Sequence, residues 1–241
     1  VDPRPGDYED EAQLTKSLEG VEAMVLVTSN AEPSARLAQH ENAIRAAEAA
    51  GVRRVLYVSI MGPEEETDFA PVVRSNRTTE AFLQSRNLEW VIARNGLYIE
   101  PDLESIPDYL AESELVNSAG QGRCVYTSRP ALAQAYVELI RDERYVGQVL
   151  TMGGPAITQR ELAEAISQVH GQQVRYSSIP VPDFKEDRIA ALGTLYGTII
   201  GGIYEAIRLG HMAGPADDYE AITGAPHPSL LELLEGHQEL A

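Results

Sequence analysis

The sequence is poor in cysteine, in basic residues and in aromatic bulk, and it has no glycine-rich turn after any of its apolar runs. A single cysteine, Cys124, excludes an intrachain disulfide and fits a reducing compartment, so the expected location is cytoplasmic. Basic residues number 19 against 37 acidic ones, a net charge of −18. A field of that sign excludes nucleic acid and anionic membrane surfaces as expected partners. The acidic residues are scattered rather than clustered, which reads as a solubility feature. The histidines His40, His170, His211, His227 and His237 show no i,i+4 pairing, and one cysteine cannot build a site, so no metal is expected. Ser59 lies in Val-Ser-Ile-Met-Gly rather than in a Gly-x-Ser-x-Gly elbow, and no carboxylate pair stands out. Serine-hydrolase and glycosidase chemistry are therefore not expected. The opening Val1-Asp-Pro-Arg-Pro-Gly-Asp has no apolar stretch and does not read as a signal peptide.

One long charge-free run lies between Arg188 and Glu205, and it falls short of the ~20 residues a membrane-spanning helix needs. Within it Gly193, Gly197 and Gly201 recur every fourth residue, which places them on one helix face. In a water-soluble chain that spacing reads as a helix packed tightly on a neighbour, a flap, or the face of a homodimer.

What is present is an alternation. Ala23-Met-Val-Leu-Val runs into Thr28-Ser29, followed by a helical stretch from Pro33 to about Ala50 and a strand, Arg54-Val-Leu-Tyr-Val-Ser59. A helix over residues 74–84 and a third strand, Trp90-Val-Ile-Ala-Arg94, complete the pattern. Short apolar runs alternating with helices predict an α/β fold built on a doubly wound parallel sheet. Residues 1–4 read as the end of a further strand, and residues 11–18 as a short helix closed by Gly20. Beyond Arg94 the expectation is a helical excursion over residues 101–118, a strand from Cys124, and a buried helix over residues 131–140. A strand over residues 148–152 follows. Thr158-Gln-Arg-Glu161 has the form of a capping box opening a helix, and a strand from Gln173 leads into a mostly helical remainder. The expected division is residues 1–150 as the sheet domain and 151–241 as a smaller, mostly helical lobe that also takes parts of residues 101–125.

In an open α/β sheet, ligands bind beyond the carboxyl ends of the strands. Here those ends carry Gly6-Asp7-Tyr8, Thr28-Ser29-Asn30, Ser59 and Asn95-Gly96. Short side chains there let a flat ligand approach the backbone, and an Asp can accept from an adenine amino group or a ribose hydroxyl. Several colinear stretches resemble the NmrA-like atypical short-chain dehydrogenase/reductases, and in pattern the type 2 NAD(P)H:quinone oxidoreductases among them. They are Gly6-Asp7-Tyr8-Glu-Asp10, Arg36…His40-Glu-Asn42, Tyr57-Val-Ser59, Thr79-Glu80, Arg94-Asn95-Gly96-Leu-Tyr98 and Ile222-Thr-Gly224-Ala-Pro226. The resemblance implies a Rossmann-like domain with a helical substrate lobe, and NADPH or NADH as cofactor. It implies Asp7 and Tyr8 near the adenine, and Thr28 and Ser29 along the adenosine ribose and phosphates. Ser59, Asn95, Gly96 and Tyr98 would lie near the nicotinamide and the substrate. His40, on an amphipathic helix, reads as a satisfied packing residue rather than a catalyst.

Two departures bear on function. Members of that family begin with a strand, a Gly-x-x-Gly-x-x-Gly turn, a helix and a second strand, roughly 45 residues in all, and this sequence starts after them. The missing turn would hold the pyrophosphate, and its absence predicts an incomplete start or a gap filled by another element. The exposed strand edge and apolar face that result argue against a stable monomer. The second departure lies four residues before Glu80, where the family commonly has Lys or His and this chain has Asn76, with Val72 in place of a Tyr four residues earlier. Asn cannot act as a general acid or base near neutral pH. A ketone reductase would miss such a group, whereas a quinone takes its protons from water. The leading expectation is an NAD(P)H-dependent reductase of a quinone or similar small planar acceptor, with Ser59, Asn76, Asn95 and Tyr98 at the reacting end. The alternatives are a non-catalytic redox sensor and a cofactor-independent oxygenase or isomerase acting on an aromatic substrate.

Overall fold

The apolar runs do become strands, and burial explains their composition. In the computed structural model, which describes residues 2–238, the opening elements are α1 (Glu11–Ser17), β1 (Ala23–Val27), α2 (Pro33–Ala49), β2 (Arg54–Ile60), α3 (Ala70–Gln84) and β3 (Glu89–Asn95). β1 pairs parallel with β2, and β2 parallel with β3, in unbroken register from Ala23↔Arg54 to Ile60↔Asn95. β2 is buried along nearly its whole length, as a central strand covered on both faces must be, so its sequence is a continuous apolar run without alternation. The chain continues through β4 (Leu97–Tyr98), α4 (Glu100–Glu104), α5 (Ile106–Glu112), β5 (Glu114–Asn117), β6 (Arg123–Thr127), α6 (Arg129–Arg141) and β7 (Val149–Met152). It ends with β8 (Ala156–Thr158), α7 (Gln159–His170), β9 (Arg175–Ser178), α8 (Val181–Arg208), α9 (Asp218–Thr223) and α10 (Leu230–Gln238).

The chain divides into two compact units: residues 1–60, 71–95 and 134–150 form the first, and residues 61–70, 96–133 and 151–241 the second. The first unit is a sheet of order β1-β2-β3-β7. Its core joins Leu26, Val55, Tyr57 and Ile92 from the strands with Ile44 and Ala47 from α2 and Leu83 from α3. Each Leu, Ile or Val among them contributes roughly 1.5–3 kcal/mol of burial. β1 is an edge strand. Leu26 is buried, but Val25 and Val27 on the opposite face are 39% and 55% exposed.

The second unit holds a small sheet of order β4-β6-β8 and a β5-β9 ribbon. β6 runs parallel to β4 and antiparallel to β8, and β5 runs parallel to β9. The expected capping box is present: Thr158 Oγ1 accepts from Glu161 N while the Glu161 carboxylate accepts from Thr158 N. Three expectations are corrected. Residues 2–6 form no strand; Arg4 instead donates to the carbonyls of Ser17 and Glu19, and Val1 lies outside the described residues. The helical excursion over 101–118 stops early, because Ser113 takes a left-handed conformation (φ 53°) and Glu114–Asn117 pairs with β9. The third helix begins at Ala70 rather than at 74.

The glycine repeat in α8 does not form one face of one straight helix. Gly193 adopts φ 78°, ψ 167°, and folds α8 into two arms, neither as long as the ~20 residues of a spanning helix. Gly197 and Gly201 line the seam between the arms. A Cβ on Gly197 would lie 2.4 Å from Ile189 Cα, and one on Gly201 would lie 2.4 Å from Lys185 Cγ. The tight neighbour that the repeat implies is therefore the helix's own first half.

Candidate functional site

The carboxyl ends of β1, β2 and β3 bring most of the sequence-derived candidates into the first unit. Tyr8 follows a turn in which Asp7 Oδ1 accepts from Glu9 N at 2.9 Å. The Tyr8 hydroxyl then donates to Val27 O at 2.8 Å, and Asn42 Nδ2 donates to Tyr8 O at 3.0 Å. Asp7 is exposed and Tyr8 half-buried beside the end of β1. Thr28, the first residue past β1, donates to Val58 O at 2.6 Å and lies 3.2 Å from Asn76 Oδ1. Ser29 N donates to His40 Nε2 at 3.0 Å.

That last bond sets the state of His40. Its Nε2 accepts, so the ring proton sits on Nδ1, which faces Thr79 Oγ1 at 3.0 Å, and Thr79 in turn donates to Ser75 O at 3.1 Å. His40 is fully buried, and burial, with Arg36 nearby, lowers its pKa to about 4. The ring is a neutral brace that fixes the loop after β1 against α3.

Asn76 is 1% exposed and nearly saturated. Its Oδ1 accepts from the Tyr57 hydroxyl at 2.7 Å, and its Nδ2 donates to Val72 O at 2.9 Å. Burial pushes the Tyr57 phenol up to about 12. Beside this neutral cluster lies a charged one. Ser59 Oγ donates to Glu80 Oε1 at 2.6 Å. Arg94 grips both carboxylate oxygens, with Nε to Oε1 at 3.0 Å and Nη2 to Oε2 at 2.5 Å. Arg77 adds 2.8 Å to Glu80 Oε1 and 3.0 Å to Ile60 O. Burial alone would push the Glu80 carboxyl up, but the hydrogen bonds from Arg94 and Ser59 and the two guanidinium charges hold it below its ordinary value. Asn95, at the end of β3, donates through Nδ2 to the Tyr136 hydroxyl at 2.6 Å.

Gly96 and Tyr98 belong to the second unit. A Cβ on Gly96 would stand 2.6 Å from Val125 O and 2.7 Å from Val125 Cγ1, so this glycine is explained by the backbone of β6 pressing on it. Tyr98 is 37% exposed, with the Arg129 guanidinium 5.8 Å from its ring centroid. The sequence reading missed Tyr57, Arg77 and Tyr136. Arg77 and Glu80 at i,i+3 were the available signal. Tyr57 and Tyr136 lie in apolar runs, where only the fold reveals that their hydroxyls point at Asn76 and Asn95.

The strand ends carry groups that could hold a nucleoside: the half-exposed Thr28 and Ser29, the exposed Asp7 carboxylate and the Tyr8 ring. No glycine-rich phosphate turn occurs among the described residues, so these side chains fit the nucleoside end of a dinucleotide and not its pyrophosphate. A family profile described as NAD(P)H-binding matches residues 1–143. The chain belongs to the NAD(P)H-binding family. Within it, two relatives align along most of this chain. Quinone oxidoreductase 2 of Escherichia coli K12 is 34% identical over 182 residues, 75% of this chain and 63% of that protein. An NmrA-like family domain-containing oxidoreductase of Aspergillus flavus is 27% identical over 183 residues, 74% of this chain and 59% of its own length. The aligned part of this NAD(P)H-binding chain thus spans less than two thirds of either relative. The fold agrees: the crystal structure of the NADPH complex of the Escherichia coli NADPH-dependent quinone oxidoreductase superposes with a TM-score of 0.81 at 27% identity. That match covers 98% of this chain and 82% of that one. The Rossmann-like α/β class and NAD(P)H as the cofactor of this NmrA-like family follow.

Proposed function

We propose that this chain acts as an NAD(P)H-dependent reductase that delivers a hydride to a quinone or a similar planar acceptor. The observation that carries the reading is the state of the polar groups buried between β2, α2 and α3. Asn76 cannot titrate, the Tyr57 hydroxyl commits its one proton to Asn76 Oδ1, and His40 is buried and neutral, its pKa held down at about 4, so none of the three offers a free proton to an acceptor. A ketone needs a positioned proton donor as its oxygen gains charge. A quinone does not, because its reduced oxygens take protons from water. When bound, NAD(P)H supplies the hydride.

The chain's own residues bind and orient. Asp7 and Tyr8 serve the adenine, and the Thr28 and Ser29 hydroxyls the adenosine ribose. Ser59 and Asn95 are the buried polar groups assigned to the nicotinamide end. Asn76 acts through others, holding Thr28 and Tyr57 in place. A cytoplasmic setting belongs to the same proposal, supported by a lone cysteine that is buried and free.

Steady-state oxidation of NADPH and of NADH against a series of quinones, with simple ketones as the comparison, tests the proposal. Quinone turnover with ketones inert is the expected outcome. Ketone turnover at comparable rates would refute it. Nicotinamide binding with no turnover across the series would assign the chain to the redox sensors.

A further inference from the structure

The second unit contains a cavity of about 630 Å³ built entirely from its own residues. One wall is the folded helix α8, which contributes Phe184, Arg188, Leu192, Ile200 and Tyr204; the other is formed by α4, α5 and β5. The aromatic wall is ordered: Phe184 and Tyr204 meet edge to face with ring centroids 5.0 Å apart. None of these residues is among the strand-end groups of the first unit.

At the base of this cavity lies Asp102, only 6% exposed. It accepts from Tyr109 OH at 3.0 Å on Oδ1 and from Tyr126 OH at 2.8 Å on Oδ2. Behind Tyr126 the chain of contacts continues: Gln159 Nε2 donates to the Tyr126 hydroxyl at 3.1 Å, and Asn117 Nδ2 to Gln159 Oε1 at 3.0 Å. Asn117 Oδ1 takes the Tyr176 hydroxyl at 3.0 Å and Ala119 N at 3.0 Å. Two phenols thus hold the carboxyl rigidly, but no cation pairs with it among the described residues. A carboxylate buried without a counter-charge is costly to ionise. Burial accordingly pushes its pKa up. The rim adds charge of the same sign, with Glu104, Asp108 and Glu112 exposed around the opening. The one basic side chain in the lining, Arg188, has its guanidinium 5.4 Å from the Phe184 ring centroid, so the cavity's own cation lies on that ring and not on Asp102.

We propose that this cavity is a binding site for an aryl-alkyl ammonium, a cation with an apolar aromatic body. The aromatic body lies against Phe184, Leu192 and Tyr204, and the ammonium meets Asp102, whose missing counter-charge it supplies. The rim carboxylates raise the local concentration of such a cation and repel anions. The site goes beyond the reductase reading and does not depend on it.

Calorimetric titration of the chain with tryptamine, protonated at neutral pH, tests this without any nicotinamide or acceptor present. The comparison ligands are tryptophol, its neutral alcohol analogue, and indole-3-propionate, an anion of similar body. The expected result is tryptamine binding one to one, about tenfold or more tighter than tryptophol, with the anion not binding. Asp102→Asn keeps the shape and removes the charge, with one of the two phenols turned to accept from the new Nδ2 instead of donating, so the cation-to-alcohol preference collapses toward unity. Leu192→Arg places a guanidinium at a rim position that is 49% exposed and lowers tryptamine affinity about tenfold while leaving Asp102 untouched. Equal affinity for tryptamine and tryptophol in the native chain overturns the proposal, as does a preference that survives in a folded Asp102→Asn. Should that variant fail to fold by circular dichroism, Leu192→Arg decides: unchanged tryptamine affinity overturns the site.

Discussion

The same substitution, Gly→Ala, should have opposite signs at two helical positions of this chain. Alanine exceeds glycine in helix propensity by about 0.8–1.0 kcal/mol, so on propensity alone both changes stabilise. At Gly236, in α10, an added methyl meets nothing within 4 Å, and the gain is kept. Its position in the last turn reduces that gain to a few tenths of a kcal/mol, up to about 1. At Gly197, in the second arm of α8, the methyl would lie 2.4 Å from both Ile189 Cα and Ile189 N, and 2.6 Å from Arg188 C. These are backbone atoms, so no side-chain rotation relieves the overlap and the two arms must part. Overpacking of this kind costs about 1–3 kcal/mol or more. With three backbone atoms within 2.6 Å the cost sits at the upper end, about 2–3 kcal/mol, so against a propensity gain of about 1 the net effect at Gly197 is destabilisation by about 1–2 kcal/mol. Urea unfolding of the native chain and the two variants measures both, with unchanged m-values as the check that the denatured state is the same. A Gly197→Ala midpoint equal to or above the native one refutes the folded-arm geometry of α8.

Two further predictions concern acid. His40 is depressed in the folded state to about 4 from 6.5, so the folded chain binds fewer protons than the unfolded chain between those values. Its contribution is complete above pH 6.5 and is lost as pH falls toward 4, about 3 kcal/mol in all. Urea midpoints that stay flat from pH 7 to 4 would contradict the buried neutral ring. Glu80 is likewise held below its ordinary value of 4.5, so its stabilisation is present above that pH and disappears on further acidification. Glu80→Gln keeps the shape but leaves Arg77 and Arg94 without a carboxylate. It should lose about 2–3 kcal/mol at neutral pH, less than a fully buried pair because Arg94 is 32% exposed. The variant's acid-limb slope below pH 4.5 should also flatten, and a variant as stable as the native chain at pH 7 would show that the cluster is surface decoration.

Local pattern alone determined much of this protein. Short apolar runs alternating with helical stretches read as strands of a parallel sheet, which was legible at β1, β2 and β3 although the edge strand β1 leaves Val25 and Val27 exposed. The capping box opened α7 where Thr158 and Glu161 said it would. Sequence likewise placed His40 as a packing residue and Asn76 as a group that cannot titrate, because these follow from side-chain chemistry and helical spacing. What only the tertiary structure decided are properties of pairs far apart in the chain. That Glu114–Asn117 is a strand depends on its partner Arg175–Ser178, some sixty residues on. That the glycine repeat closes a helix on itself depends on one torsion, at Gly193. The same holds for Ser59 and Arg94 sharing the Glu80 carboxylate, for Tyr57 reaching Asn76, and for Asp102 between two tyrosines without a cation. Periodicity records which face of an element is buried; only the packing of elements decides which polar atoms meet there, and those meetings set charge, protonation and what each unit can bind.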